Sequence, residues 1–278
     1  MSGIAAQLIA TFASGAGAGA FPHVGGSRAL FAKGIRDRVA NPGLIDQGLS
    51  SLCGPASFLY CLASKRPDVY ARYAIELYEQ GQTTVGKLRV APSSDCRRAA
   101  INPREIDPVD WVTLASLRDS QNTVMDYQSV SDAVAGITLP QHLANWFSSS
   151  EQFSQVVNNT NVVFDKNLSS LLAAEQFRIG GSYICLFVDA SILHGKCGVS
   201  FFPNHWIVLT NHVRINGQTT TGLASRGLAV DADEALASGP LSFEVFTWGQ
   251  PHRAFNPGNS TVAVSTFLNC FYGYVCAK

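Results

Sequence analysis

The pattern of apolar and polar positions changes character once along this chain. Between residues 54 and 180 apolar side chains recur at helical spacing, most clearly over 68–80, where Gly81 follows as a stop signal. After residue 181 the apolar residues form short runs separated by Gly, Asn and Pro, which is typical of strands. One such turn, Asn216-Gly217, carries a hairpin signal. The pattern predicts an α+β chain with helices first and an antiparallel sheet second.

The first 27 residues differ in composition from the rest. An apolar stretch is followed by a Gly- and Ala-rich run, and the first basic residue is Arg28. A secretory signal has positive charge near its start, and a membrane span needs about 20 apolar residues. Residues 1–27 therefore predict an apolar helix and a flexible linker, with a cleaved signal as an alternative and no stable membrane span. Residues 28–41, which mix basic and apolar side chains, predict a surface helix.

The composition and net charge of the chain limit the classes of molecule that it is expected to bind. Of 278 residues, 46% are apolar and 14% are charged, and 20 basic residues balance 20 acidic ones. A large core is expected, and no net charge steers the chain towards nucleic acid or anionic lipid. No basic run or short-period repeat occurs. We therefore expect no nucleic-acid partner.

Seven cysteines occur, an odd count without tight spacing, which argues against a disulfide scaffold. Three lie in apolar runs and are expected in the core: Cys61, Cys185 and Cys270. Cys197 with His194 and His212 lacks the ligand spacing of a metal site. The sequence predicts neither a metal nor a cofactor.

Cys53 lies where a Gly- and Ser-containing turn meets an apolar helical run over 54–64. Pro55 suits the first turn of that helix. A thiol at a helix N-terminus meets the positive end of the helix dipole and unpaired N–H groups, which favour the nucleophilic thiolate. The alternative is a buried structural cysteine, because free cysteines are among the most buried residues.

Two further segments carry side chains suited to acyl transfer. Gln47 lies six residues before Cys53 and is followed by Gly48. A primary amide there can donate to the negative oxygen of a tetrahedral intermediate. Far downstream, His205 opens a short apolar strand, and a cysteine and a histidine need only be adjacent in space to act together. Residues 243–249 predict another strand, ending in Trp-Gly.

Gln47, Cys53, His205 and the Trp248-Gly249 pair occur in this order in papain-like cysteine peptidases, and the chain resembles that superfamily. The family has Asn-Gln-Gly before its nucleophile, where this chain has Asp46-Gln47-Gly48. The resemblance implies catalytic roles for Cys53 as nucleophile, His205 as general base and Gln47 as oxyanion donor.

The same resemblance implies the domain organisation. A single papain-like catalytic domain spans 28–278, in which the nucleophile helix belongs to an N-terminal helical lobe at about 28–180. That lobe packs against an antiparallel sheet lobe at about 181–278. Residues 217–240 exceed what the family needs and are expected to form an inserted loop near the cleft rim.

The family's residue that orients the histidine is an Asn, and its position falls at Phe246, which accepts no hydrogen bond. An unoriented imidazole acts more slowly. The role stays open, either vacant or filled by one of five residues: Thr247, Glu244, Asn211, Asp231 or Asp233.

The resemblance implies a cysteine hydrolase that cleaves peptide or isopeptide bonds through a thioester, of the bacterial effector or toxin type because a pro-region and a disulfide pattern are missing. Its partners would be a protein or peptide substrate and a cognate immunity or inhibitor protein. It would be secreted or delivered into a target cell and act in a reducing, cytosol-like compartment. Two alternatives stay open. The first is a deamidase, transglutaminase or peptidoglycan amidase on the same fold. The second is a catalytically degenerate binding module, which the presence of Phe246 in place of the orienting Asn favours.

Overall fold

The structure is a computed structural model of the chain. It describes residues 3–24, 26–48, 50–121, 137–161, 167–197, 203–221, 236, 238–254 and 262–278, and of 251–254 the backbone alone. These residues combine helices with antiparallel sheets, as the sequence predicts. The chain divides into two compact units, Met1–Phe153 with Trp248–Gln250 and Ser154–Thr247 with Pro251–Lys278.

Helices make up most of the first unit, and local signals mark their ends. Ser27 Oγ accepts the Leu30 N–H at 3.3 Å at the start of the second helix. Gly81, with φ 70°, ends the fourth helix at the position that the sequence predicts. The helices are α1 (Gly3–Ser14), α2 (Arg28–Ala40), α3 (Cys53–Lys65), α4 (Pro67–Gln80), α5 (Ser94–Arg98), α6 (Pro108–Asp110), α7 (Ser116–Ser120) and α8 (Pro140–Ser149). A 3₁₀ turn (Pro42–Leu44), a π-helical turn (Trp111–Ala115) and a hairpin of β1 (Thr83–Val85) and β2 (Leu88–Val90) complete this unit.

The N-terminal segment contains the apolar helix predicted for it. In α1 three side chains are buried, Ala5, Ile9 and Phe12, and the helix packs against α2 and α4. The Phe12 ring contacts Phe31 and Tyr78 edge-on, with centroids 6.1 and 5.2 Å away. No helix in the described ranges is both long and apolar enough to cross a membrane.

Helix α2 is a surface helix, as predicted, with one buried face. Its residues Phe31, Ile35 and Val39 are buried, and so is Arg38, which is 5% exposed. Arg38 follows Ile35 by three positions and Phe31 by seven, so helical periodicity places it on the apolar face. Arg38 thus lies on the buried face of this surface helix, and a buried guanidinium needs a buried partner.

The second unit is organised around a six-stranded sheet with the order β10-β9-β5-β4-β12-β3. β4 lies inside the sheet with five of its six residues buried, and it pairs antiparallel with β5 and β12. Helix α9 (Leu168–Ile179) packs against β4 and β12. The strands are β3 (Val156–Thr160), β4 (Tyr183–Val188), β5 (His205–Leu209), β9 (Glu244–Thr247), β10 (Gln250–Ala254) and β12 (Phe271–Ala277).

A smaller sheet of short strands belongs to the same unit. Its order is β11-β8-β6-β7, formed by β6 (Arg214–Ile215), β7 (Gln218–Thr219), β8 (Pro240–Ser242) and β11 (Val262–Ala263), and α10 (Val264–Leu268) follows β11. Asn216 and Gly217 have φ 53° and 72° between β6 and β7, which confirms the predicted Asn-Gly hairpin. Of the predicted inserted loop at 217–240, residues 222–235 and 237 lie outside the described residues.

One pair of cysteines is joined, which the sequence does not predict. Cys197 and Cys270 form a disulfide whose Cα atoms are 5.7 Å apart. Cys270 is buried as expected, but as half of a disulfide and not as a free core thiol. Cys61 and Cys185 lie outside the disulfide and are fully buried, as the sequence predicts. Because its sulfur is bonded, Cys197 has no thiolate to offer a metal.

Candidate active site

Cys53 is the first residue of α3, and the helix reaches one residue further at each end than the predicted 54–64. The side chain is 4% exposed. Leu52, the N-cap residue, makes no side-chain hydrogen bond to the first turn. The N–H groups at this end are therefore not satisfied by a capping side chain, and the dipole of a 13-residue helix favours negative charge here.

Gln47 lies in the loop that leads to Cys53 and is 7% exposed. Its Nε2 donates to the Ser50 carbonyl oxygen at 2.9 Å, which fixes the plane of the amide. A primary amide nitrogen carries two hydrogens, so this bond uses one and leaves one for another acceptor. The side chain can therefore act as a fixed hydrogen-bond donor beside the start of α3.

Gly48 adopts a backbone conformation in this loop that would be strained for a residue with a side chain. Its φ is 58°, and a Cβ at this position would overlap the Glu105 carbonyl oxygen. The Gly48 N–H donates to Asp46 Oδ1 at 2.9 Å, so the loop closes as an Asx turn. The tight turn sets the direction in which Gln47 enters the site.

A buried ion pair contacts the backbone of the loop that carries Gln47. We did not predict this pair from the sequence. Asp110, which is fully buried, accepts from Arg38 Nε at 2.7 Å and from Arg38 Nη2 at 2.5 Å. The same carboxylate accepts the Asp46 N–H at 3.1 Å. Burial raises the pKa of Asp110 to about 6, although Arg38 and the Asp46 N–H act in the opposite direction. The signal in the sequence was Arg38 on an apolar helix face.

A second support reaches the nucleophile helix itself. Thr138 is fully buried, and a Cβ added to Gly54 would overlap its side chain. Thr138 Oγ1 accepts from Arg118 Nη1 at 3.3 Å, and Arg118 Nη2 donates to the Ile137 carbonyl at 3.3 Å. Gly54 directly follows Cys53, so the absence of its side chain allows this segment to lie against the first turn of α3.

His205, the first residue of β5, belongs to the second unit and is 4% exposed. Its Nε2 lies 2.8 Å from Thr247 Oγ1, within hydrogen-bond distance. β5 is held between β4 and β9, and His205 is paired with Val188 in the register of β4. The imidazole is thus fixed by a rigid strand and by a hydroxyl.

The register of β5 and β9 explains why Thr247 takes this position. Val208 pairs with Phe246 and Leu209 with Val245. Side chains alternate between faces, so Thr247 shares a face with His205 while Phe246 points to the opposite face. Thr247, one residue after Phe246, thus supplies the hydroxyl that Phe246 lacks.

The other four residues considered for orienting His205 do not share the position of Thr247 among the described residues. Asn211 is exposed, and its Oδ1 accepts the His212 N–H at 2.7 Å. Glu244 alternates with Thr247 on β9 and shares the face of Phe246. Asp231 and Asp233 lie outside the described residues.

The Trp-Gly pair that follows Thr247 adopts an unusual backbone. Trp248 has φ 46° and Gly249 has φ 63°, and both values are left-handed. A non-glycine residue in this region costs roughly 1–2 kcal/mol. Residues 248–250 belong to the first unit, where a Cβ on Gly249 would lie 2.9 Å from Asp46 Cβ. The turn therefore lies against the same loop that carries Gln47, and it needs glycine to do so.

Comparison with known proteins adds no relative. No family model matches the chain, and neither the curated proteins nor the solved structures contain a match.

Proposed function

We propose that the chain is a papain-like cysteine hydrolase that cleaves amide bonds in a protein or peptide. The observation that carries the proposal is the position of Cys53 as the first residue of α3, directly after the loop that holds the Gln47 amide. A helix N-terminus and a fixed amide donor are the two features that thiolate attack on a carbonyl needs. The papain-like arrangement of helical and sheet lobes belongs to the same proposal.

The proposed reaction begins with a Cys53 thiolate and a protonated His205. The sulfur attacks the carbonyl carbon, a C–S bond forms, and the carbonyl π electrons move to oxygen. The Gln47 amide and the Cys53 N–H donate to that oxygen. His205 gives its proton to the leaving amine as the C–N bond breaks, which leaves a thioester. His205 then takes a proton from water, whose oxygen attacks the thioester and releases the acid and the thiolate.

Thr247 supports an enzyme more than a degenerate binding module. Phe246 lacks an orienting side chain, and this lack favours such a module. Thr247 Oγ1 at 2.8 Å from His205 Nε2 supplies a partner for the imidazole on the same sheet face. When Nε2–H donates to this hydroxyl, Nδ1 carries the lone pair that a general base needs.

Secretion is part of the proposal, and the Cys197–Cys270 bond supports it. Disulfides form and persist in oxidising compartments and are rare where thiols are kept reduced. Action in a reducing compartment would expose this bond to reduction, whereas the Cys53 thiol, which is in no disulfide, would be preserved there.

The test is transfer of an acetyl group from p-nitrophenyl acetate to the full chain, read by intact mass after an acid quench and by peptide mapping. We expect one adduct, on Cys53, that is absent from Cys53→Ala. Cys96→Ala is the matched control, because burial raises the pKa of the Cys96 thiol to about 12 and this thiol should not react. Equal acetylation of Cys53→Ala and the wild type would contradict the proposal.

Product analysis then separates the alternatives that share this thioester. A peptidase converts an unfolded protein substrate into fragments, whereas a deamidase or transglutaminase leaves its backbone uncut. A peptidoglycan amidase would act on purified cell-wall sacculi and leave the protein substrate intact. Fragments with one preferred cleavage site are the outcome that the proposal predicts.

A further inference from the structure

We propose that Arg38 and Asp110 are positioning residues for the oxyanion donor Gln47, acting through the backbone of Asp46. The inference rests on the proposed function, because it assigns a role within the same site. Neither side chain is placed to touch the substrate in this proposal, and both would act by holding the loop that carries the amide.

The geometry gives the buried carboxylate three donors. Two come from the fork of the Arg38 guanidinium, at 2.7 and 2.5 Å, and the third is the Asp46 N–H at 3.1 Å. Arg38 Nη1 donates to the Gly34 carbonyl at 3.2 Å, which ties the guanidinium to its own helix. The carboxylate thus connects helix α2 to the backbone one residue before Gln47.

Burying the Arg38–Asp110 ion pair costs free energy, because both charges lose their hydration. Arg38 is 5% exposed and Asp110 is fully buried, and apolar residues of similar volume often stabilise a protein as well as a buried pair does. An apolar pair, however, has no acceptor for the Asp46 N–H, which would then lose its partner. The feature that distinguishes the ion pair from a well-packed apolar pair is therefore its bond to the active-site loop.

The other contacts of the loop set its local shape, and Asp110 joins that shape to helix α2. The Asx turn at Asp46 and the close approach of Gly48 to the Glu105 carbonyl set the local shape. Glu105 lies three residues before Pro108, where the helix that carries Asp110 begins. The same segment thus contacts the loop at two points, and a shift of Asp110 would move the Gln47 donor relative to Cys53.

Two rates measured on the same chain separate positioning from other effects. Acetylation of Cys53 by p-nitrophenyl acetate passes through an oxyanion, whereas alkylation of Cys53 by iodoacetamide does not. A misplaced Gln47 should therefore slow the first reaction and leave the second unchanged. Removal of one oxyanion donor costs on the order of 100-fold in comparable enzymes, so we expect about tenfold for a displaced donor.

The variants are Asp110→Asn, Arg38→Lys and the double variant Arg38→Met/Asp110→Leu. The double variant removes both buried charges and preserves apolar packing, so it keeps the fold while losing the acceptor for Asp46. We expect all three to lose about tenfold in acetylation and less than about twofold in alkylation. In a Gln47→Ala background the same changes should cause no further loss, because the donor that they position is gone.

The outcomes distinguish a failure of the positioning role from a failure of the proposed function. If the double variant acetylates at the wild-type rate, or if acetylation and alkylation fall together, Arg38 and Asp110 have no positioning role, and the proposed function stands. If wild-type Cys53 does not acetylate at all, the proposed function fails. A selective loss of acetylation that disappears in the Gln47→Ala background supports the inference, with thermal unfolding measured on each variant to show that it is folded.

Discussion

His205 Nε2 and Thr247 Oγ1 lie 2.8 Å apart on one face of the six-stranded sheet. The two residues are diagonal neighbours on strands β5 and β9, so the distance is set by strand register and not by a flexible loop. A threonine has a short side chain with few rotamers, and it is 3% exposed here. The hydroxyl therefore fixes the position of the imidazole at Nε2.

Thr247→Val should slow the acetylation of Cys53 by about tenfold, because valine keeps the shape and removes the hydrogen bond that orients His205. The expected effect is on the reaction rate, with thermal stability changed by little more than about 1 kcal/mol. Thr210→Val is the matched control. The Thr210 hydroxyl is buried near the end of β5 and has no hydrogen-bond partner among the described residues. Equal rates in the two variants would show that Thr247 does not orient the histidine.

Gly48→Ala should destabilise the chain and disrupt the loop that carries Gln47. A left-handed φ costs an L-residue roughly 1–2 kcal/mol, and overlap with the Glu105 carbonyl adds to that cost. Gly217→Ala is the control, since its φ of 72° carries the same backbone cost and no atom of the described residues lies within 4 Å of the added Cβ. Denaturant unfolding should show the larger loss for Gly48→Ala, and acetylation should fall in that variant alone. A larger loss for Gly217→Ala would contradict the role of the close contact.

Local features of this fold were readable from the sequence because neighbouring residues determine them. Gly81 ends α4 where its left-handed conformation is favoured, Asn216-Gly217 forms a hairpin, and Cys53 begins a helix. In each case a few adjacent residues carry the whole signal.

Features that join distant positions were not readable in the same way. Arg38 and Asp110 are 72 residues apart, and their pairing depends on how two helices pack. The choice of Thr247 over Phe246 depends on register, because a shift of one residue would exchange the two faces of β9. The Cys197–Cys270 bond spans 73 residues, and the pairing of seven cysteines cannot be deduced from spacing alone.

The buried Asp110 predicts a specific dependence of stability on pH. Its pKa rises from 3.8 to about 6 in the folded chain, chiefly through burial. Between these values the folded chain holds a proton that the unfolded chain has released, so the contribution of Asp110 to the free energy of unfolding decreases as pH rises. Above about pH 6 that contribution is constant.

The measurement compares the wild type with Asp110→Asn, which does not titrate. The free energy of unfolding of the wild type relative to this variant should fall between pH 4 and pH 6 and then level off. A difference that is flat across this range, or that increases with pH, would show that the carboxyl is already ionised in the folded chain at low pH.

The cysteine pairing predicts how many thiols react. In denaturant without reductant, iodoacetamide should modify the five cysteines that are in no disulfide, and reduction should release the two that remain. Cys270→Ser should lower the free energy of unfolding by about 2–4 kcal/mol, because the bond closes a long loop. Cys185→Ser, at a free cysteine on β4, is the control for loss of a buried sulfur. Seven modified cysteines before reduction would refute the pairing.

The proposed pairing of a Cys53 thiolate with His205 is tested most directly by the pH dependence of Cys53 alkylation in the full chain. We expect iodoacetamide to label Cys53 rapidly well below about pH 8.5, where an ordinary thiol is mostly protonated. His205→Ala should abolish that low-pH reactivity and return the profile to that of an ordinary thiol. If Cys53 instead follows the ordinary thiol profile in the wild type, and His205→Ala changes nothing, the catalytic account is wrong.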